Sequence, residues 1–395
     1  MKSLFILVFL PVLTFSQGLK PVIFPEESSA LDLVSGFVET NDYLYSCELK
    51  GSDFGTFDKL VFKKFDKEDS LVLINQINHP YESLIACHLF EWQGEVWFLG
   101  TYYKSSIQEG GLIYCKINDL LEMYAVQTFD TGIYYADRLA YSIKGTELAV
   151  GGSLASSSFV HHPFILLFDE QMDVVSYKQG QEGAFNVESI LYYDDFYILL
   201  GAGLWKYNLD HELIGKYTFD SPSEVCKTKS CKLSGESFLL LKRVFIWDTG
   251  EWVLSLEEWG TNMILNQKKV LDIKKGVEDL GKLHSLQRTK DGHIRVSAYS
   301  YFNKIAFPFV KSSSGLHYWC LASDFKILQK HSIFFTDFYF PYNVQFLADD
   351  ILIGGFFADS STNVDPYLFR LFYDNESLIS DEGPFNKEVI NTLFK

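Results

Sequence analysis

Two adjacent histidines, His161 and His162, and a scatter of tyrosines and phenylalanines are the residues of this 395-residue chain best suited to chemistry or recognition. A histidine beside a tyrosine can act as a base and acid pair in proton transfer. His161 or His162 with Tyr134 or Tyr135 makes such a set. Neighbouring residues of an extended segment project to opposite sides, so the two imidazoles do not readily chelate one ion. An exposed loop pair without a catalytic role is the preferred reading. His88 and His284, near the starts of inner strands, read as hydrogen-bonded packing residues.

The larger candidate set is aromatic. Tyr102, Tyr103 and Lys104, Tyr301 and Phe302, Phe356 and Phe357, and Tyr342 fall after apolar runs, together with Tyr81, Tyr134, Tyr135 and His161-His162. Such a rim can stack on sugar rings or hold peptide side chains, because aromatic groups offer area and a polar tip at low entropy cost. Aromatics are 16% of the chain, so part of this set is expected as packing. No G-x-S-x-G, H-E-x-x-H, phosphate-cradling loop, sialidase box or calcium loop occurs. No cofactor and no metal are expected. Among 51 acidic residues, no pair stands out for glycoside hydrolysis.

The elements that must position these residues come from a repeat. Residues 146–169, TELAVGGSLASSSFVHHPFILLFD, return as DDILIGGFFADSSTNVDPYLFRLFYD at 349–374. Each has an apolar run, a glycine pair (Gly151-Gly152, Gly354-Gly355), a polar loop, a proline (Pro163, Pro366) and a second apolar run. Gly100 and Gly201 anchor further copies, and Gly100 to Gly152 to Gly201 are steps of 52 and 49 residues. Gly201 to Gly355 is three more such steps, so seven units are expected. Apolar runs with period-two character between Asp, Gly, Asn and Ser clusters are strand grammar. A period near 50 with four strands per unit predicts an all-β, seven-bladed propeller of four-stranded antiparallel blades. The blades begin near 31, 83, 137, 187, 229, 283 and 344. Residues 18–24 or 387–394 supply the strand that closes the ring. The rim residues fall on the face carrying the longer loops.

The pattern Gly354-Gly355, the run from Leu368 to Leu371 around Arg370, and Asp374-Asn375, with Gly151-Gly152 and Asp169 in the other copy, resembles delta-60-type propeller repeats of bacterial surface proteins. The resemblance implies a secreted or surface propeller and transfers no catalytic residue.

Residues 1–16 read as a signal peptide: Lys2, an apolar run from Leu4 to Leu13, and a small-x-small site at Thr14-Phe15-Ser16. The mature propeller is then 17–395, exported to the periplasm, the cell surface or the medium. A net charge of −17 disfavours nucleic acid and anionic membranes, and no run is apolar enough for membrane insertion. Of six cysteines, Cys226 and Cys231 are the disulfide candidates, while Cys47, Cys87, Cys115 and Cys320 lie in core-like runs. The expected role is a non-catalytic binding or assembly module that takes a protein or glycan on its loop face. A polysaccharide lyase-like enzyme using His and Tyr is the alternative, and a structural subunit of an envelope complex the second alternative.

Overall fold

The computed structural model describes residues 19–23, 31–51, 57, 59–104, 109–132, 135–155, 161–180, 187–219, 227–275, 278–306, 309–336, 339–346, 350–358 and 364–372. Its 28 strands form seven blades of four antiparallel strands, a β-propeller, and no helix occurs among the described residues. Blades one to six span 31–78, 83–132, 135–179, 189–218, 227–275 and 278–336. Blade seven takes three strands from 339–372 and its fourth from the N-terminus, where Leu19–Ile23 pairs antiparallel with Val364–Phe372. Of the two terminal segments expected to close the ring, the N-terminal one does so. Pro21 fits there because an outer strand leaves one row of N–H groups unused. The run VFIWDTGEWVLSLEEW divides at residues 247–250, between Ser237–Ile246 and Glu251–Gly260.

The antiparallel meander puts the first-to-second and third-to-fourth connections of every blade on one face, here the turn face. The other two connections lie on the opposite, loop face. On the turn face, six third-to-fourth turns share one construction. In four of them the opening Asp or Asn accepts backbone N–H bonds through its side chain. Asp66 Oδ1 takes Ser70 N–H at 2.7 Å, Asn118 Oδ1 takes Glu122 at 2.8 Å, Asp169 Oδ1 takes Asp173 at 2.9 Å, and Asn208 Oδ1 takes Glu212 at 2.8 Å. The fourth residue of each turn has positive φ although none is glycine: Asp69, Leu121, Met172, His211, Met263 and Phe325, at 63° to 66° or 62°. That conformation is costly for such residues. It is held because the side chain plugs into the preceding blade. Leu121 joins the blade-one core, Met172 that of blade two, Met263 that of blade four and Phe325 that of blade five.

A cation two residues before the turn completes several joints. Lys64 reaches Asp119 in the next blade's turn at 2.9 Å, and Lys206 donates to the Thr261 carbonyl at 3.0 Å. At the seam between blades seven and one, Arg370 donates to Asp69 at 3.0 Å, to Asp350 at 2.9 Å and to Glu39 at 3.0 Å. The ring is thus fastened by one device applied repeatedly, with its most ionic version at the closure.

The repeat glycines have a packing role. A Cβ on Gly354 would come within 2.9 Å of Val34 and 2.8 Å of Phe37 in blade one, and one on Gly151 would meet Ile190 of blade four at 3.4 Å. Close approach of the next blade's inner strand therefore accounts for the first glycine of each pair. Register locates the equivalent residues. Val96, Leu148, Tyr197, Phe238, Ile294, Ile351 and Leu44 each pair with the last third-strand residue before the outer turn, or its equivalent in blade seven. Four residues further on stand Gly100, Gly152, Gly201, Lys242, Ala298, Gly355 and Glu48.

Cys47, Cys87, Cys115 and Cys320 are buried between blades. Cys231 is a half-buried free thiol, and Cys226, its expected partner, lies outside the described residues.

Candidate binding site on the loop face

The best-defined cluster on the loop face lies over the joint between blades one and two. Glu95–Lys104, the second strand of blade two, carries Tyr102, Tyr103 and Lys104 to its end, and Glu109–Ile117 brings Glu109 back opposite Lys104. The connection from blade one delivers His79 and Tyr81. Tyr81 stacks on Tyr102 with ring centroids 4.3 Å apart and planes at 24°, and His79 lies 5.8 Å from Tyr81. Lys104 Nζ stands 5.6 Å from the Tyr81 centroid and 3.6 Å from Glu109.

Tyr102 is the back of this cluster, not its face. Alternation along the strand turns it towards blade one, and it is only 3% exposed, which corrects its expected place on an open rim. Tyr81, Tyr103, Lys104 and Glu109 remain partly open to solvent. Gly111, paired with Tyr102, makes the room. A Cβ there would lie 2.7 Å from Tyr102 Oη and 2.4 Å from the Phe129 carbonyl. Burial, and then the carboxylates of Asp130 and Glu109, push the Tyr102 phenol up to about 12. Tyr81 is raised too, by burial first and by Glu109 second. Both phenols stay protonated at neutral pH.

Most other rim residues sit at strand ends rather than in loops, because the hairpins keep pairing to the edge, where aromatic residues favour strand. His161 and His162 open the third strand of blade three, opposite Ala155 and Leu154. His162 is half-buried. Tyr301 and Phe302 lie within Ile294–Ala306, paired with Ser314 and Ser313. Phe356 and Phe357 lie within Asp350–Ala358, and Tyr342 marks a register shift of Tyr339–Phe346. Tyr135 begins the first strand of blade three, and Tyr134 lies outside the described residues.

On the inner strands of blades two and three, His88 meets Tyr141 with centroids 5.6 Å apart. Tyr141 also stacks on Phe90 at 4.7 Å, and burial pushes its phenol up to about 12. This is a packing arrangement. Tyr141 carried no sequence signal beyond its place in an apolar run, and Glu109 was hidden because its connection to Tyr81 is made only in space, while His79 stands two residues before Tyr81. Among the described residues, no group of three His, Cys, Asp or Glu is placed to hold a metal. No helix among them is long and apolar enough to cross a membrane.

No protein-family model matches the chain, and no curated protein sequence does. Solved structures are similar in fold at low identity. The WD40 domain of SCAP from fission yeast is 12% identical, with a TM-score of 0.45, covering 90% of this chain and 98% of its own. The acylaminoacyl peptidase of Pyrococcus horikoshii is 10% identical, with a TM-score of 0.47, over 88% of this chain and 53% of its own. The GH43_1 enzyme from Xanthomonas citri is 8% identical, with a TM-score of 0.36, over 63% and 93%.

Proposed function

We propose that this propeller is an exported, non-catalytic binding module that takes a protein or glycan on its loop face, with Tyr81, Lys104 and Glu109 at the contact. The observation that carries the reading is the Tyr81–Tyr102 stack beside the Lys104–Glu109 pair. A tyrosine fixed from behind by a second ring is a rigid platform, so little side-chain entropy is lost when a sugar face or an apolar side chain settles on it. The ammonium and carboxylate beside it offer one donor and one acceptor set. The phenols at Tyr102 and Tyr141, both up at about 12, suit this role better than the base of a lyase. Export rests on residues 1–16, whose removal after Ser16 leaves the ring-closing strand Leu19–Ile23 at the start of the mature chain.

The test is affinity capture from the native envelope and extracellular fractions with the intact chain, followed by a polysaccharide panel, each compared with Tyr81→Ala and Lys104→Ala. The reading predicts a ligand retained by the parent chain and lost by both variants, with no turnover. Ligand retained by both variants, or bond cleavage abolished by His161→Ala, would overturn it.

A further inference from the structure

On the turn face, the joint between blades five and six lacks the cation clasp seen from Lys64, Lys206 and Arg370, and is spanned by the Gln267 amide donating to the Asp324 carbonyl at 2.9 Å. The position two residues before the outer turn, filled by Lys64 in blade one and Lys206 in blade four, is Glu258 in blade five. The facing turn of blade six offers Ser323 and Asp324, which give a carboxylate no cation to meet. The result is a cleft of about 240 Å³, with Ser234, Ser237 and Glu258 on the blade-five wall, Arg288 and Ser323 on the blade-six wall, and Phe325 buried behind. Arg288 Nη1 donates to the Leu233 carbonyl at 3.3 Å, which ties the guanidinium across the mouth.

We propose that this cleft binds a small zwitterion of the α-amino acid type, its ammonium towards Glu258 and its carboxylate towards Arg288. The ammonium takes the place that a lysine Nζ occupies in two other joints, where it lies 2.9 Å from Asp119 or 3.0 Å from the Thr261 carbonyl. A guanidinium is the natural receiver of the carboxylate, through paired N–H donors. Serine hydroxyls from both walls serve the remaining polar atoms, and the buried Phe325 and Ile294 form an apolar floor against which an aliphatic side chain can rest. The volume admits one such molecule and excludes a folded chain. The site is on the opposite face from the tyrosine platform, so the two stand or fall separately.

The experiment is calorimetric titration of the intact chain with leucine, leucine methyl ester and N-acetyl-leucine. Leucine is expected to bind saturably in the micromolar to millimolar range, and each blocked derivative about tenfold weaker, since Glu258 or Arg288 loses its charged partner in the ligand. Glu258→Lys installs the missing clasp, so it should abolish leucine binding while raising the unfolding midpoint. Glu258→Gln, which keeps the shape, should weaken leucine about tenfold. No saturable leucine binding, equal binding of the blocked forms, or unchanged affinity in Glu258→Gln would overturn the proposal.

Discussion

Glu48 of blade one and Lys242 of blade five occupy the same position of the repeat, where blades two, three, four and seven carry glycine, and each meets an opposite charge from the third strand. Lys63 lies 2.6 Å from Glu48, and Glu257 lies 2.9 Å from Lys242. Lys63 and Glu257 are themselves equivalent, so the two joints hold the same ion pair with its polarity reversed. Elsewhere the third-strand position is apolar, as with Cys115, Leu166, Trp205, Trp319 and Phe369. A Lys242→Gly variant restores the repeat residue but strips a charge from Glu257, which is 1% exposed. It should cost about 1–3 kcal/mol, because Lys268 still stands 3.3 Å from Glu257, and Lys63→Ala about 3 kcal/mol, because the buried Glu48 loses this ion pair. Lys242→Gly with Glu257→Leu should recover most of that loss. Denaturant titration reads all three, and a single variant as stable as the parent would contradict the pairing.

Glu257 reports the same balance electrostatically. Burial alone would raise its carboxyl, but Lys242, the Trp259 indole N–H at 3.0 Å and Lys268 at 3.3 Å outweigh it and bring the pKa below the usual range. Its stabilising contribution is therefore present above the unfolded carboxylate pKa and is lost as pH falls through the depressed folded value. In a Lys242→Gly, Lys268→Ala background, nuclear magnetic resonance titration should find the Glu257 carboxyl protonating at a higher pH than in the parent.

Acid should also act through two histidines. His317, 2% exposed, exchanges hydrogen bonds with Ser300 at 2.6 Å and Ser332 at 2.7 Å, and burial, with Lys274 next in weight, lowers it to about 4. His211 plugs blade four into blade three between Tyr197 and Ser176 and is lowered too, by burial first. Both folded values lie below that of the unfolded imidazole, so the unfolded chain binds more protons in between. Stability is thus full above about pH 6.5 and falls as pH drops towards 4, by up to about 3 kcal/mol for His317 alone. Unfolding free energies from pH 7 to 4 should fall less steeply in His317→Asn; an identical slope would remove His317 from the account.

At the seam, Arg370→Met leaves Asp69, Asp350 and Glu39 without their shared cation. A loss of about 3–5 kcal/mol is expected, read as a lowered denaturation midpoint. Arg370→Lys should recover only part of it, because an ammonium cannot present the guanidinium's fixed fork to several carboxylates at once.

Gly111→Ala tests the platform from behind. The Phe129 carbonyl 2.4 Å from the new methyl is backbone and cannot swing aside, so the Tyr102 ring and Tyr81 with it must move. The expected cost is about 1–3 kcal/mol, together with weaker capture of any loop-face ligand. Crystallography of the variant, or loss of the Tyr81 ring-current shift, would reveal the displacement.

Much of the ring was legible because a glycine returns at one position of the repeat in four of the seven blades. Gly100, Gly152, Gly201 and Gly355 could be counted as steps of one period. Blade five was the hard one to phase: VFIWDTGEWVLSLEEW can be divided in more than one way, and Lys242 stands where the glycine would be. The site was less legible. Tyr102 and Tyr103 are indistinguishable as residue types, yet alternation buries the first and leaves the second half open. Which side faces the neighbouring blade is a property of the assembled ring. The plug residues carried no mark either, since a Met or Phe at positive φ is paid for by a cavity in another blade.

The pairing of Leu19 with Leu371 makes the first strand of the ring to be synthesised wait for the last. Joining ends this distant costs on the order of 5 kcal/mol in chain entropy before any contact repays it. A nascent chain therefore carries much of Val364–Phe372 as an uncovered sheet edge until its own beginning returns to it. Such an edge is a template for pairing with another molecule. Maturation is thus a race between self-closure and capture by a neighbour, decided by local concentration and by whatever holds the N-terminal strand meanwhile.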